Sequence, residues 1–426
     1  MIRTVFSVLF LSLSVFPAAA QKTVLTLEEC RQAAVTRSPL TVRRELAGLK
    51  RQAKDRAASS ALIPQVEINA QGSYQNEVPK FPGDLPLPIA IDLPKDQYRA
   101  TVDLNQVIYG GSSVRNAKRV NAATETAEKA SLEVQLDRLR DRINDIYLGI
   151  LMAERQLEVN ALMRKTLAAD IEAVTARVAH GTATGGMLAA LTARMIELSQ
   201  QRAELEGTRS KLATALTELT GLPVAESTVL EIPAVPDRLE TGEPFLHRTE
   251  LKLYAGQREV LNMQDKWLNS KSNPKLSLFA SGGYGRPGYN FLDRDFAPMA
   301  IGGLRLNVPL TGWATTQREK RANRIARGDI DQQQRDFERN VTIQAAQYVT
   351  DIEKLREVTA MDPEIVKART AVRERALAQL EKGIITESEY LTEFNNEAAA
   401  RVNAEVNALR LVQAWIGYDA ARGVYR

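Results

Sequence analysis

Residues 111–179, GSSVRNAKRVNAATETAEKASLEVQLDRLRDRINDIYLGILMAERQLEVNALMRKTLAADIEAVTARVA, decide the fold. After its first residue the stretch contains one glycine, Gly149, and no proline. Its apolar residues follow the 3-4-3-4 spacing of a coiled-coil seam, at Leu136, Leu139, Ile143, Ile146 and Ile150 and again at Leu167, Ile171, Val174 and Val178. As one helix it would extend roughly 100 Å at ~1.5 Å per residue. Since helices of globular domains average only ~11–12 residues, the stretch predicts an elongated molecule.

The segments before this helix alternate between apolar or small residues and polar ones, at 66–74 and again at 98–104. A period of two gives a strand one apolar face and one wet face. Each run has about the nine to eleven residues of a tilted membrane strand, so we predict membrane strands at about 64–76 and 97–109. A hairpin packed on a soluble core is the alternative. Against it, the polar face combines Glu67, Asp103 and Arg99, which suits a water-filled lumen.

Residues 1–20 are predicted to be a secretory signal peptide. Arg3 precedes an apolar run at 5–16, and small residues at 18–20 form a cleavage site. An uncleaved membrane anchor is the alternative, but the run is shorter than the ~20 residues that a bilayer requires.

The composition limits the functions that are plausible for the chain. Its 426 residues are 44% hydrophobic and 25% charged, with a net charge of +4 and no basic run interleaved with aromatics, so we expect no nucleic-acid partner. The one cysteine, Cys30, excludes an internal disulfide. His180 and His247 are the only histidines, and no cluster has metal-ligand spacing. The glycine-rich stretches at 181–186 and 282–288 lack the following helix with Lys-Ser/Thr of a phosphate loop. We therefore expect no cofactor and no enzymatic activity.

The chain repeats its plan after a proline-rich linker at 223–244. Residues 306–312 echo 104–110 at an offset of 202 residues, and the same offset relates Gly181 to Gly383. The first repeat, 21–222, contains the two strands, the long helix 111–179 and a helix at 184–220. The second, 245–426, is predicted to contain strands at about 274–285 and 298–310, a long helix at 313–382 and a helix at 386–416. Asp362-Pro363 predicts a break or kink in this second long helix.

Two strands from each repeat give four strands per chain, which cannot close a barrel in lipid. Two chains would supply 8 strands and three would supply 12, and a polar lumen favours the wider barrel. The predicted fold is therefore mainly α with membrane β, a trimeric 12-stranded barrel continuous with a long α-helical coiled-coil barrel. Aromatic residues lie where the interfaces would be, at Tyr74, Tyr98, Tyr284 and Tyr289 and at Tyr109 and Trp313.

Three kinds of local motif accompany the duplication: Leu62-Ile63-Pro64 and Asn273-Pro274 before strands, the pattern Leu-Asn-x-x-(Ile/Leu)-x-Gly at 104–110 and 306–312, and the glycine turns at 181 and 383. In their order and spacing the chain resembles the TolC-like outer-membrane efflux protein family over roughly residues 24–420. The resemblance implies a homotrimeric channel in outer-membrane lipid of a Gram-negative bacterium, spanning into the periplasm. It also implies passive export in a tripartite efflux or type I secretion system, with a periplasmic adaptor (membrane fusion protein) and an inner-membrane pump.

The resemblance further implies that the turns between paired helices form a periplasmic tip where adaptors dock. The corresponding residues are His180, Gly181, Thr182, Lys382, Gly383 and Ile384. The family often places acidic residues after the second turn as a pore constriction. Glu389 falls on the first of those positions, and the next is Thr392, with Glu393 adjacent to it, so the resemblance implies Glu389 and Glu393 for the constriction. Thr392 and Met187 depart from that acidic pattern, so a solvated surface glutamate is the alternative for Glu389.

A secreted coiled-coil structural or adhesion protein is the alternative function. Such a rod would have no need of the four alternating strands. The class of cargo, a drug, a metal ion or a polypeptide, stays open.

Overall fold

A computed structural model of the chain describes residues 24–78, 94–236, 238, 244–245, 247–290 and 295–425. The predicted signal peptide, 1–20, lies outside them. In order, the elements are β1 (Val24–Leu25), α1 (Leu27–Arg37), α2 (Pro39–Ser59), β2 (Gln65–Tyr74), β3 (Asp96–Tyr109), α3 (Ser113–Ala179), α4 (Gly185–Thr220), β4 (Val229–Leu230), α5 (Thr249–Lys271), β5 (Lys275–Arg286), β6 (Ala297–Asn307), α6 (Gly312–Glu381) and α7 (Glu387–Ala421). A short 3-10 turn, Ser60–Leu62, joins α2 to β2.

The longer strands form one antiparallel sheet in the order β2-β3-β5-β6. Its register pairs Ile68 with Val102, Val102 with Gly282 and Gly282 with Ala300, which places the apolar residues of both repeats on one face. Within the described residues, the outer edges of β2 and β6 have no neighbouring strand. The sheet is therefore open at both edges.

Two very long helices leave this sheet, α3 with 67 residues and α6 with 70. Each is roughly 100 Å long at ~1.5 Å per residue. α3 packs against α2, α4 and α5, and α6 packs against α5 and α7. Local sequence determines where the shorter helices begin, because side chains at the cap accept hydrogen bonds from the first turn. The caps are Thr26 for α1, Ser38 for α2, Thr184 for α4 and Thr386 for α7.

The core follows the helices as successive apolar clusters. The middle cluster joins α1, α3, α4, β4 and α7, with Ile143, Ile150 and Leu216 fully buried. Cys30 lies in it, completely buried, as a small apolar side chain would. A second cluster near the free ends of the helix pairs contains Leu167, Leu191, Leu380, Tyr390 and Phe394. A third packs α6 against α7 through Ile352, Trp415 and Tyr418.

The predicted break at Pro363 is absent, because α6 runs through that residue without interruption. Proline removes one backbone hydrogen bond of a helix. Here the neighbouring Asp362 is buried and accepts a hydrogen bond from Asn407 Nδ2 of α7 at 3.1 Å. Packing against α7 therefore supports the helix at the point where proline weakens it.

Other boundaries differ from those predicted. β6 ends at Asn307, short of the predicted 310, since Pro309 cannot donate a ladder hydrogen bond. α7 continues to Ala421, past the predicted 416. It continues through Gly417, where a Cβ would lie 2.5 Å from the Tyr348 ring. The glycine instead allows α6 to approach α7 closely.

The linker at 223–244 is not wholly irregular. Its β4 pairs in parallel with β1, placing Val24 opposite Val229 and Leu25 opposite Leu230. The fully buried Tyr147 of α3 lies beneath this pair, with its hydroxyl 2.8 Å from the Leu25 carbonyl and 2.7 Å from the Glu231 carbonyl. The segment between the repeats is thereby attached to the N-terminal strand and to the middle of α3.

Candidate functional site

One face of the sheet is apolar and exposed in the single chain. Ile68 is 80% exposed, Leu304 64% and Leu306 66%. These residues share a face because the register alternates strictly along β2 and β6. Soluble monomers rarely expose contiguous apolar surface of this kind, so the face must meet a partner or a membrane.

The opposite face is polar on β2 and β3. Asn69 Nδ2 donates to Asp103 Oδ2 at 2.6 Å, and Thr101 Oγ1 donates to the same oxygen at 3.0 Å. On β5 and β6 this face is mixed, since it carries Phe279 beneath Arg305, whose guanidinium carbon lies 4.9 Å from the ring centroid. The predicted wet face is thus wet on the first pair of strands and partly apolar on the second.

Aromatic residues gather at the loop end of the sheet. The Phe296 ring stacks on Tyr98 and Tyr284, with centroid separations of 6.2 and 5.8 Å. Arg286 lies over the Phe296 ring and forms an ion pair with Asp96. At the other end of the sheet, Tyr109 and Trp313 are exposed. Amphipathic aromatics at both ends of an apolar band are typical of membrane interfaces.

The two glycine turns lie together at the far end of the helices. Arg177 Nη2, in the last turn of α3, donates to the Glu381 carbonyl at the end of α6 at 2.7 Å. Gly181 and Gly383 have φ values of +73° and +68°, a backbone conformation that glycine adopts without strain. The six residues predicted for the tip are all exposed: His180, Gly181, Thr182, Lys382, Gly383 and Ile384.

Glu389 has a local structural role. Its side chain accepts hydrogen bonds from the Thr386 N–H at 2.7 Å and from Thr386 Oγ1 at 3.0 Å, which completes a capping box at the start of α7. The bond from the Thr386 backbone lowers the pKa of the Glu389 carboxyl. Glu393 faces Arg369 of α6, 3.5 Å away. Both acids therefore have partners within the chain, which a constriction would have to accommodate.

A buried polar network above the turns ties α6 and α7 together. Glu397 is only 2% exposed and accepts hydrogen bonds from Arg373 at 2.9 Å, Arg401 at 2.7 Å and Thr370 at 2.8 Å. Burial favours protonation of Glu397, but the bonds from Arg401, Thr370 and Arg373 outweigh it and lower the pKa of this carboxyl.

A second buried contact joins the two repeats at the same level. The Tyr390 hydroxyl of α7 donates to the Asp170 carboxylate of α3. Both side chains are buried, and burial raises the pKa of each. The tip is therefore held by polar contacts in its interior as well as by the apolar cluster around Leu167 and Phe394.

Solved structures identify this architecture. VceC of Vibrio cholerae, an outer membrane protein, is 15% identical to the chain with a TM-score of 0.68, and the match covers 93% of this chain and 96% of that one. CusC, whose structures concern transmembrane channel formation, is 14% identical with a TM-score of 0.68, covering 97% and 96%. The MtrE outer membrane channel of Neisseria gonorrhoeae is 15% identical with a TM-score of 0.65, covering 93% and 89%. The chain has the fold of the outer-membrane channels.

The resemblance to TolC-like proteins drawn from the motifs is confirmed as a likeness of this channel fold. No protein-family model matches the sequence. No curated protein matches it either.

Across the described ranges, no group of three His, Cys, Asp or Glu side chains could hold a metal ion. In the same ranges, no helix is both long and apolar enough to cross a bilayer.

The buried polar network around Glu397 was not predicted from the sequence. Thr370 and Arg373 are spaced i,i+3, and Glu397 and Arg401 i,i+4, which places each pair on one helix face. Charge-rich helix faces are usually solvated, so the spacing by itself does not predict burial. Only the packing of α6 on α7 brings the two faces together.

Proposed function

We propose that the chain is an outer-membrane channel of a Gram-negative bacterium that spans into the periplasm and passively exports substrates. One observation carries the proposal: a sheet with two open edges and an exposed apolar face continues into two helices of roughly 100 Å. Lipid would cover the face, and the helices would reach into the aqueous space. MtrE is an outer membrane channel, which supports a role other than an enzyme's for this chain.

The functional form we propose is a homotrimer. Each chain supplies four membrane strands, and an unpaired strand edge in lipid costs several kcal/mol for each unsatisfied backbone group. Pairing β6 of one copy with β2 of the next satisfies both edges, and three copies close a 12-stranded barrel. Polar residues such as Asn69 and Asp103 then face water inside the barrel.

The proposed partners are a periplasmic adaptor and an inner-membrane pump, in a tripartite efflux or type I secretion system. The exposed turns at His180–Thr182 and Lys382–Ile384 are the proposed docking surface, since they end the longest helices side by side. Glu389 and Glu393 are proposed to lie at the constriction of the pore, where three copies would bring their carboxylates near the axis.

Native mass measurement in detergent tests the assembly. We expect three times the mass of the processed chain, together with heat-modifiable migration of the protein from an outer-membrane fraction. A stable monomer or dimer would contradict the barrel. Recovery of the chain as a water-soluble rod would favour the secreted coiled-coil alternative.

A further inference from the structure

An open groove lies where the sheet passes into the helices. It has a volume of about 660 Å³ and is formed between the end of α2, the end of β3 and the first turns of α3. It contains no residue of β2 or β6, the edges at which a second copy would pair. The groove is therefore formed within one chain, beside the proposed subunit junction.

One half of the groove is apolar. Leu62, Ile108 and Tyr109 line it, and all three are exposed. The register places Tyr109 opposite Leu276, which pairs in turn with Leu306 on the exposed apolar face. This half of the groove thus continues the surface that we assign to lipid.

The other half is cationic. Arg115, Lys118 and Arg119 are exposed and, at spacings of i, i+3 and i+4, lie on one face of α3. None of the three forms an ion pair with any residue that the structure describes. Arg51 on the opposite wall differs, because it is paired with Glu125 at 3.1 Å and with Asp55 at 3.4 Å. Three positive charges thus have no carboxylate partner among the described residues.

The backbone beneath these cations is fixed. Ser112 has φ of +67°, the one positive value for a non-glycine residue in the described part of the chain. The preceding Gly111, at +63°, accepts a hydrogen bond from Asn273 Nδ2 at 2.9 Å, and a Cβ on it would lie 2.8 Å from Asn273 Cβ. Arg115 Nη2 donates to Ser112 Oγ at 3.1 Å. Sparsely populated backbone conformations persist where the surroundings hold them, often at binding sites.

We propose that this groove binds an anionic glycerophospholipid of the inner leaflet. Arg115, Lys118 and Arg119 bind the phosphate of its headgroup, and an acyl chain lies along Ile108 and Tyr109. Charge complementarity and the adjoining apolar strip select an amphiphile over a soluble anion, since clusters of cations beside a membrane segment attract anionic headgroups. The proposal rests on the proposed function, because that function places the inner leaflet at this junction.

Native mass spectrometry of the full chain in a neutral detergent tests the site. The protein is offered equal amounts of phosphatidylglycerol and phosphatidylcholine, and the bound lipids are counted. Each cation near an anionic surface is worth about fivefold in binding, so we expect a preference for phosphatidylglycerol of about tenfold or more. The variant Arg115→Gln/Lys118→Gln/Arg119→Gln should bind the two lipids almost equally. The control Lys165→Gln/Lys211→Gln/Arg375→Gln removes the same charge at exposed positions far along the helices and should keep the preference.

Several results would overturn the site. These are equal binding of the two lipids by the wild type, an equal loss of preference in the control, and displacement of phosphatidylglycerol by an equal concentration of glycerol 3-phosphate. A groove variant with altered subunit number but an unchanged lipid preference would assign the groove to a second copy instead. Conductance in pure phosphatidylcholine bilayers separates the two proposals. A wild type that conducts there without preferring phosphatidylglycerol refutes only the lipid site, whereas a chain that neither conducts nor takes either lipid refutes the channel too.

Discussion

Replacing Ile68 with lysine tests which face of β2 meets lipid. Ile68 lies inside the strand, is 80% exposed, and pairs with Val102 on the apolar face. A lysine on the lipid side of a membrane strand costs about 2–4 kcal/mol at the midplane of the bilayer. Because 1.4 kcal/mol is a factor of ten, the ratio of folded to unfolded protein should fall by roughly 30- to 700-fold per chain.

Asn69→Lys is the matched control, one residue away on the other face. Asn69 donates to Asp103 at 2.6 Å, and a lysine there retains a donor and gains an opposite charge. We expect its free energy of unfolding to stay within about 0.5 kcal/mol of wild type, as at ordinary exposed sites. Urea unfolding of the protein folded into lipid vesicles, followed by tryptophan fluorescence, measures both variants.

Equal destabilisation by the two lysines would refute the assignment of faces. If Ile68→Lys also stays within about 0.5 kcal/mol of wild type, the apolar face lies in water and the membrane interpretation of the sheet fails.

Three further predictions concern the tip. Glu389→Gln keeps the capping box but removes the charge. Block of the single-channel current by trivalent cations added on the tip side should therefore weaken. Unchanged block would show that Glu389 does not lie at the constriction. Tyr390→Phe deprives the buried Asp170 of its donor and should destabilise the tip by about 1–3 kcal/mol, seen as faster hydrogen exchange in the lower helices and not in the sheet. The folded state lowers the pKa of Glu397, so this carboxylate stabilises the folded protein fully at pH values above its unfolded-state pKa of 4.5. That stabilisation is lost as the pH falls through the lower folded-state pKa. The hydrogen-exchange protection of amides around it, corrected for the intrinsic pH dependence of exchange, should fall in acid in the wild type, and a Glu397→Gln variant with the same acid response would contradict this.

The long helices and the sheet could be predicted because their signals are periodic and local. The seam through Ile143 and Ile150 has the helical period, and the alternation around Ile68 has the strand period. Both periods are properties of the segment's own sequence and do not depend on what the segment packs against. The caps at Thr26 and Thr386 are local as well, since a threonine and a glutamate three residues apart suffice.

What the sequence did not reveal depends on distant partners. β1 and β4 are too short for any period and exist only through each other and Tyr147. Pro363 was expected to break or kink α6, but the helix is continuous, and the packing of Asp362 on α7 supports it there. Glu397 was not singled out from the sequence, since only the neighbouring helix brings Arg373 against it. Each difference arises where tertiary packing overrides a local preference.

The pairing of β1 with β4 has a consequence for the order in which the molecule is built. Val24 pairs with Val229, so β1 can pair only after the whole first repeat and the start of the linker have been synthesised. Contacts this distant in sequence form late, because the loop must close before they contribute. The two copies are therefore not modules completed in succession. Expressed alone, residues 24–222 would leave β1 without its neighbour and the Tyr147 hydroxyl without the Glu231 carbonyl.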